Sequence, residues 1–131
     1  MCFVLLVEDN STFRKSLKEM LSLRFPGLEI EEAADGEEAL KKLENGYPDL
    51  VFMDIRLPGK NGLEVTKIIK KTKADVEVVI LTSYDIPEYR TAALSSGASH
   101  FFTKGNAGSD EIVNCVKSIF RRRGKDLECL H

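Results

Sequence analysis

The sequence predicts an α/β domain, a five-stranded parallel sheet with helices on both faces. Three observations carry that expectation. Short apolar runs alternate with amphipathic stretches five times within about 120 residues. Several of the runs are apolar at consecutive positions, as strands buried on both faces are. A helical stretch separates each pair of runs, which is the spacing that parallel crossovers need. The composition agrees: 131 residues with 43% hydrophobic and 31% charged side chains suit one ordinary globular domain and exclude wholesale disorder.

Cys2 to Val7 reads as a buried first strand. Phe13, Leu17, Met20, Leu21 and Phe25 then recur at helical spacing until Pro26-Gly27 stops the helix. Leu28 to Ala33 alternates with glutamates and predicts a half-exposed strand. Asp35 caps a helix with Ala39, Leu40 and Leu43 on its apolar face, closed by Gly46 and Pro48. Leu50 to Met53 is the third strand, and a loop with Pro58, Gly59 and Gly62 follows it. Leu63, Val65, Ile68 and Ile69 mark a lysine-rich third helix. Val76 to Leu81 is the fourth strand, and Pro87 opens a fourth helix that ends at Gly97. His100 to Thr103 is a short fifth strand. Ser109 is expected to cap the last helix, whose apolar face is Ile112, Val113, Val116, Ile119 and Phe120.

Formal charge is −2 overall. Residues 121–131 carry Arg121, Arg122, Arg123 and Lys125 against Asp126 and Glu128, leaving −4 for residues 1–120. The division expected is a domain over 1–120 and a basic tail or linker start over 121–131, with the arginine triplet a solvated helix end. No overall basic excess points to direct nucleic-acid binding by this domain. No apolar run approaches the ~20 residues of a membrane span. Residues 1–10 show no charged n-region or cleavage site, so a cytoplasmic location is expected. The three cysteines, Cys2, Cys115 and Cys129, form no close pair in sequence and are expected to be free thiols, Cys2 and Cys115 as core residues. His100 and His131 make no zinc motif.

Ligand sites in open α/β sheets lie beyond the carboxyl ends of the strands. Glu8-Asp9 follows the first run, Asp54 the third, Thr82-Ser83 the fourth and Lys104 the fifth. The second run ends in Ala33-Ala34 and contributes nothing of this kind. Three carboxylates that converge repel one another unless a cation relieves them, and hard oxygen ligands select Mg²⁺ or Ca²⁺. A hydroxyl and an ammonium opposite them suit phosphoryl oxygens. The set fits phosphoryl transfer to a carboxylate.

With VLLVEDN, VFMDIRLPGKNGLE, VVILTSYD and SGASHFFTKG in place, residues 2–120 resemble the receiver domain of two-component response regulators. That resemblance implies the flavodoxin-like receiver fold, with strand order 2-1-3-4-5. It implies that Asp54 accepts a phosphoryl group from a histidine kinase, and that Glu8, Asp9, Asp54 and the backbone carbonyl of Arg56 hold Mg²⁺. It further implies that Thr82 and Lys104 bind the phosphoryl oxygens and that Thr82 and Phe101 form a switch. The face of the fourth helix, fifth strand and fifth helix would then control output, by homodimerisation or by contact with an effector domain. Such a chain is no enzyme beyond its own phosphorylation and dephosphorylation. Gly105 replaces the proline that often follows the lysine; with DIRLPGKNG, it resembles NarL-type regulators, which carry a C-terminal DNA-binding domain. Two other outputs stay open: a stand-alone receiver that signals by docking, and an inactive receiver serving only as an interaction module. A metal-dependent phosphohydrolase of the haloacid-dehalogenase kind fits less well, because its D-x-D pair after the first strand is here Glu8-Asp9.

Overall fold

The computed structural model describes residues 2–130. The chain runs β1 (Phe3–Val7), α1 (Ser11–Arg24), β2 (Glu29–Ala33), α2 (Gly36–Glu44), β3 (Leu50–Met53), α3 (Gly62–Thr72), β4 (Glu77–Thr82), α4 (Pro87–Ser95), β5 (His100–Thr103), α5 (Ser109–Arg122) and a short α6 (Asp126–Cys129). The strands form one parallel sheet in the order β2-β1-β3-β4-β5.

Strand periodicity divides the core. Val4, Leu6, Phe52 and Val79 face one side, where Leu17 and Leu21 of α1 and Val116 and Phe120 of α5 cover them. Leu5, Val7, Val51, Met53 and Ile80 face the other, under Leu43 of α2, Val65 and Ile69 of α3 and Ala93 of α4. Successive strand residues point to opposite faces, so a strand buried on both must be apolar throughout, as β1 and β3 are. Full burial of each such side chain is worth roughly 1.5–3 kcal/mol, and this fixes the register of the central strands. β2 lies at the edge, with Glu29 exposed and Glu31 and Glu32 half-buried. Glu32 there pairs with Arg14 at 2.9 Å and Lys18 at 3.2 Å. Charge on an edge strand discourages pairing with another chain.

The helix starts follow local chemistry. Asn10 caps α1 by accepting from the Phe13 N–H, and Asp35 caps α2 by accepting from Glu38 N–H. At α5 the expectation fails: Gly108 holds the cap position and Ser109 is already helical. There Asp110 and Glu111 in the first turn meet the helix dipole instead.

The tail and the cysteines also depart from expectation. α5 continues to Arg122, Gly124 turns the chain at φ +72°, and α6 lies back against the edge where the strands begin. Arg123 and Lys125 reach the buried carboxylate of Asp49, at 3.2 and 2.8 Å. Arg122 pairs with Glu77 at 3.0 Å. Much of the arginine triplet is thus engaged rather than simply solvated. Cys2 and Cys129 are not free: they form a disulfide, with Cα atoms 5.6 Å apart. The physical reason is topological. β1 starts and α5 ends on the same edge of the sheet, which brings together residues 127 apart in sequence. Cys115 is the free cysteine among the described residues, and burial pushes its thiol up to about 11. His131 lies outside the described residues.

Candidate functional site at the carboxyl rim of the sheet

The rim forms where β1, β3, β4 and β5 end. Asp54 N–H donates to the Val7 carbonyl at 3.0 Å, which aligns the end of β3 with the end of β1. Lys104 N–H donates to the Thr82 carbonyl at 2.8 Å and aligns β5 with β4 in the same way. These ladder bonds bring Glu8, Asp54, Thr82 and Lys104 to one rim. Gly62 completes the floor: a Cβ there would collide with the Asp54 carbonyl, so the loop from Ile55 to Asn61 returns this close only with glycine.

The carboxylates differ in environment. Glu8 and Asp54 are buried, whereas Asp9 is exposed. One oxygen from each of the three lies within 4.8 Å of the others, a spacing a single cation can span. Asp54 Oδ1 accepts from the Ile55 N–H at 2.8 Å, and Oδ2 accepts from Lys104 Nζ at 3.2 Å. Lys104 also forms a close ion pair with Glu8. Burial pushes the Glu8 carboxyl up to about 7, against the hydrogen bonds from Lys104 and the Asn10 N–H that favour its charge; the Asp54 charge adds to the rise. For Lys104, burial acts to lower the pKa, but its bond to Glu8 and the charge of Asp54 outweigh it, and the ammonium is held above its usual range. Lys104 Nζ lies 4.5 Å from the centre of the Phe13 ring, an additional cation–π contact.

Thr82 is fully buried, and its Oγ1 has no hydrogen-bond partner among the described residues. A buried hydroxyl without a partner costs about 1–3 kcal/mol, so an oxygen acceptor brought to it is favoured. Phe101 is already buried and packs in the core beneath α4, leaving little apolar surface to gain by turning inward. The Arg90 guanidinium covers its ring at 4.6 Å. The Arg56 guanidinium lies 4.4 Å over the Tyr84 ring and donates to Tyr89 Oη at 3.4 Å.

Sequence reasoning passed over Arg14, and it read Phe13 only as a core-facing residue of the first helix. Arg14 donates to the Glu8 carbonyl at 2.6 Å and to Glu32, tying α1 to the strand end that carries the acidic pair. Its position one turn into a helix that begins beside Glu8 was the available signal. His100 is half-buried and stacks on Phe102, their ring centroids 6.2 Å apart.

An all-oxygen set of three carboxylates, two of them buried, fits Mg²⁺. Residues 4–117 match the family model described as the response regulator receiver domain. The chain belongs to this family. The response regulator GacA of Pseudomonas viridiflava is 37% identical over 118 residues, covering 89% of this chain and 54% of the relative. A crystal structure of the Thermotoga maritima response regulator TrrA, in complex with Mg²⁺-BeF, is 40% identical at a TM-score of 0.80, over 91% of this chain and 99% of that one. A DNA-binding response regulator of the LuxR family from Staphylococcus aureus superposes at a TM-score of 0.83 with 26% identity, over 91% and 98% of the two chains. This receiver chain spans about half the length of the curated relatives it matches.

Proposed function

We propose that this receiver takes a phosphoryl group onto Asp54 from the phosphohistidine of a histidine kinase. In that step an Asp54 carboxylate oxygen forms a bond to phosphorus. The phosphorus–nitrogen bond of phosphohistidine breaks, and its electron pair stays on the imidazole. The observation that carries the reading is the setting of Asp54: a buried carboxylate 3.2 Å from Lys104, with Glu8 and Asp9 within the span of one cation. Glu8, Asp9, Asp54 and the Arg56 carbonyl would hold Mg²⁺. When bound, the ion offsets the negative charge that gathers as a phosphoryl group approaches carboxylates. Lys104 neutralises one phosphoryl oxygen, and the unpartnered Thr82 Oγ1 donates to another. The chain catalyses nothing beyond the gain and loss of its own phosphoryl group.

The proposed output follows from Thr82. Its hydroxyl moves toward the phosphoryl oxygen and draws the segment from Ser83 to Ile86 with it. Phe101 and the Arg90 lid then repack, and the face of α4, β5 and α5 changes. That face would pair with a second copy or contact an effector domain. The greater length of the relatives and the DNA-binding neighbour support a cytoplasmic transcriptional regulator in which residues 1–120 are the receiver and the tail leads onward. A stand-alone docking receiver remains the second reading.

The test is labelling with acetyl phosphate in Mg²⁺, with and without chelator. Wild type should label only with Mg²⁺, and Asp54→Asn should not label at all. Equal labelling of the variant would overturn the assignment of Asp54.

A further inference from the structure

We propose that Cys2 and Cys129 form a reversible covalent modification site, a redox latch that locks the C-terminal tail onto the edge of the sheet opposite the phosphoacceptor. The inference does not depend on phosphorylation.

The two cysteines close the chain almost end to end, across 127 residues. Both side chains are buried, Cys129 completely, within the core cluster that includes Val4, Phe25 and Ile119. Beside Cys129, Leu130 packs half-buried against the same core, and the rest of α6 adds little apolar contact. It has one turn, and Leu127 is 81% exposed. A helix this short has no stability of its own. Polar bonds also hold the tail, among them Arg123 and Lys125 to Asp49 and Arg123 to the Asp75 carbonyl. Gly124, at positive φ, is the point about which it can swing. A short segment whose apolar anchors are Cys129 and Leu130 lies at the low-stability end of the molecule. With the cysteines reduced, residues 124–130 can lift away and expose the Cys129 thiol. With them oxidised, the tail cannot leave.

The chemistry is thiol–disulfide exchange with a low-molecular-weight disulfide. When the tail lifts, the Cys129 thiolate attacks one sulfur of that disulfide and expels the first thiolate. The Cys2 thiolate then attacks the Cys129 sulfur of the mixed disulfide and expels the second. The two cysteines lose two electrons and two protons, and the reagent becomes two thiols. A dithiol reductant reverses both steps. Cys115 takes no part, because its thiol is buried and is held well above the neutral range.

The latch has two consequences. It determines whether the chain leaves the domain at Arg123 or is carried back along the sheet edge to Leu130. It also removes much of the freedom of the unfolded chain, since the closed loop spans almost the whole domain.

The experiment incubates the chain with glutathione disulfide, then blocks remaining thiols with N-ethylmaleimide in denaturant. The expected product is a monomer about 2 Da lighter than the reduced form before blocking, with Cys115 alone alkylated and peptides of Cys2 and Cys129 joined. The midpoint of thermal unfolding should rise by about 10 °C and return on reduction. Amide exchange at Cys129 and Leu130 should slow in the oxidised form. Cys129→Ser should lose all three responses, and Cys115→Ser should keep them. A stable glutathione adduct, an intermolecular dimer, or three alkylated thiols after oxidation would overturn the latch. If Cys129→Ser unfolds, the oxidised and reduced wild-type proteins alone decide the matter by the same readouts.

Discussion

Asp49 and Asp54 stand at opposite ends of β3, both buried and both beside cationic side chains, yet their surroundings are opposed. Asp49 is fully answered. It accepts from the Phe3 N–H at 3.0 Å and from Arg123 and Lys125, and although burial alone would raise its pKa, these bonds hold the carboxyl below its usual range. Asp54 shares a single lysine with Glu8, and the same burial leaves Glu8 pushed up to about 7. A hydroxyl without a partner lies among the same strand ends. A carboxylate with its bonds complete holds a structure together. A cluster short of cations and donors is ready for a ligand that supplies them.

The sharpest way to break this comparison is to remove each carboxylate in turn. Asp54→Asn should abolish phosphorylation while leaving stability near wild type, since it relieves a crowded acidic cluster. Asp49→Asn should label normally but lose roughly 1–3 kcal/mol of stability, because Arg123 and Lys125 lose their shared partner. Acetyl-phosphate labelling and urea unfolding of the two variants give the four readings. Loss of labelling in Asp49→Asn would show that the two ends of the strand are not independent.

Asp9 sharpens the same contrast from within the rim. It is exposed, so Asp9→Ala should leave the fold and its unfolding midpoint intact. It should nonetheless weaken Mg²⁺ dependence of labelling by at least tenfold, because one hard anionic ligand is gone. An unaltered Mg²⁺ titration would remove Asp9 from the site.

Acid separates the two regions by a smaller margin. The folded pKa of Asp49 is depressed below 3.8, so its contribution is complete above that value and is lost as pH falls through the folded pKa. The stability difference between wild type and Asp49→Asn should therefore be constant near neutrality and shrink below about pH 4. Urea unfolding at a series of pH values measures it. A difference that grows as the pH falls would mean that the carboxylate is neutral in the fold.

The two ends were unequally legible in the sequence. Glu8, Asp54, Thr82 and Lys104 follow apolar runs whose ends periodicity marks within a residue, so their common rim could be read directly. Asp49 also adjoins an apolar run, but its cationic partners lie more than seventy residues away, in a tail whose composition resembles a linker. Nothing local distinguishes it from a surface aspartate. The Cys2–Cys129 pair was hidden for the same reason: free thiols follow from spacing alone, whereas the pairing follows from where β1 begins and α5 ends. At the helix starts, the side-chain cap at Asp35 was legible, while the caps at Asn10 and Asn61 were not assigned. At α5, where a glycine holds the cap position, the neighbouring Ser109 misled.

The smallest effect concerns the side chains over the rim. Arg56 and Tyr84, two residues beyond Asp54 and Thr82, are expected to govern the lifetime of the phosphoryl group by screening it from water. The structure adds that they act as one unit: the guanidinium lies over the Tyr84 ring and also bonds Tyr89, while Tyr84 and Tyr89 meet edge to face at 6.5 Å. Hydrolysis requires water to approach phosphorus in line with the bond to Asp54, and a closed cluster at the mouth narrows that approach. An exposed cation–π pair is worth about 0.5–1 kcal/mol, which converts to a change of roughly two- to fivefold in rate. Arg56→Ala or Tyr84→Ala should each speed autodephosphorylation by that factor. Because the two side chains hold each other, the double variant should be little faster than either single one. The decay of labelled protein in chelator-quenched time points supplies all four rates. Fully multiplicative effects would show that the residues act separately, and an unchanged rate in the double variant would show that the cluster does not guard the site.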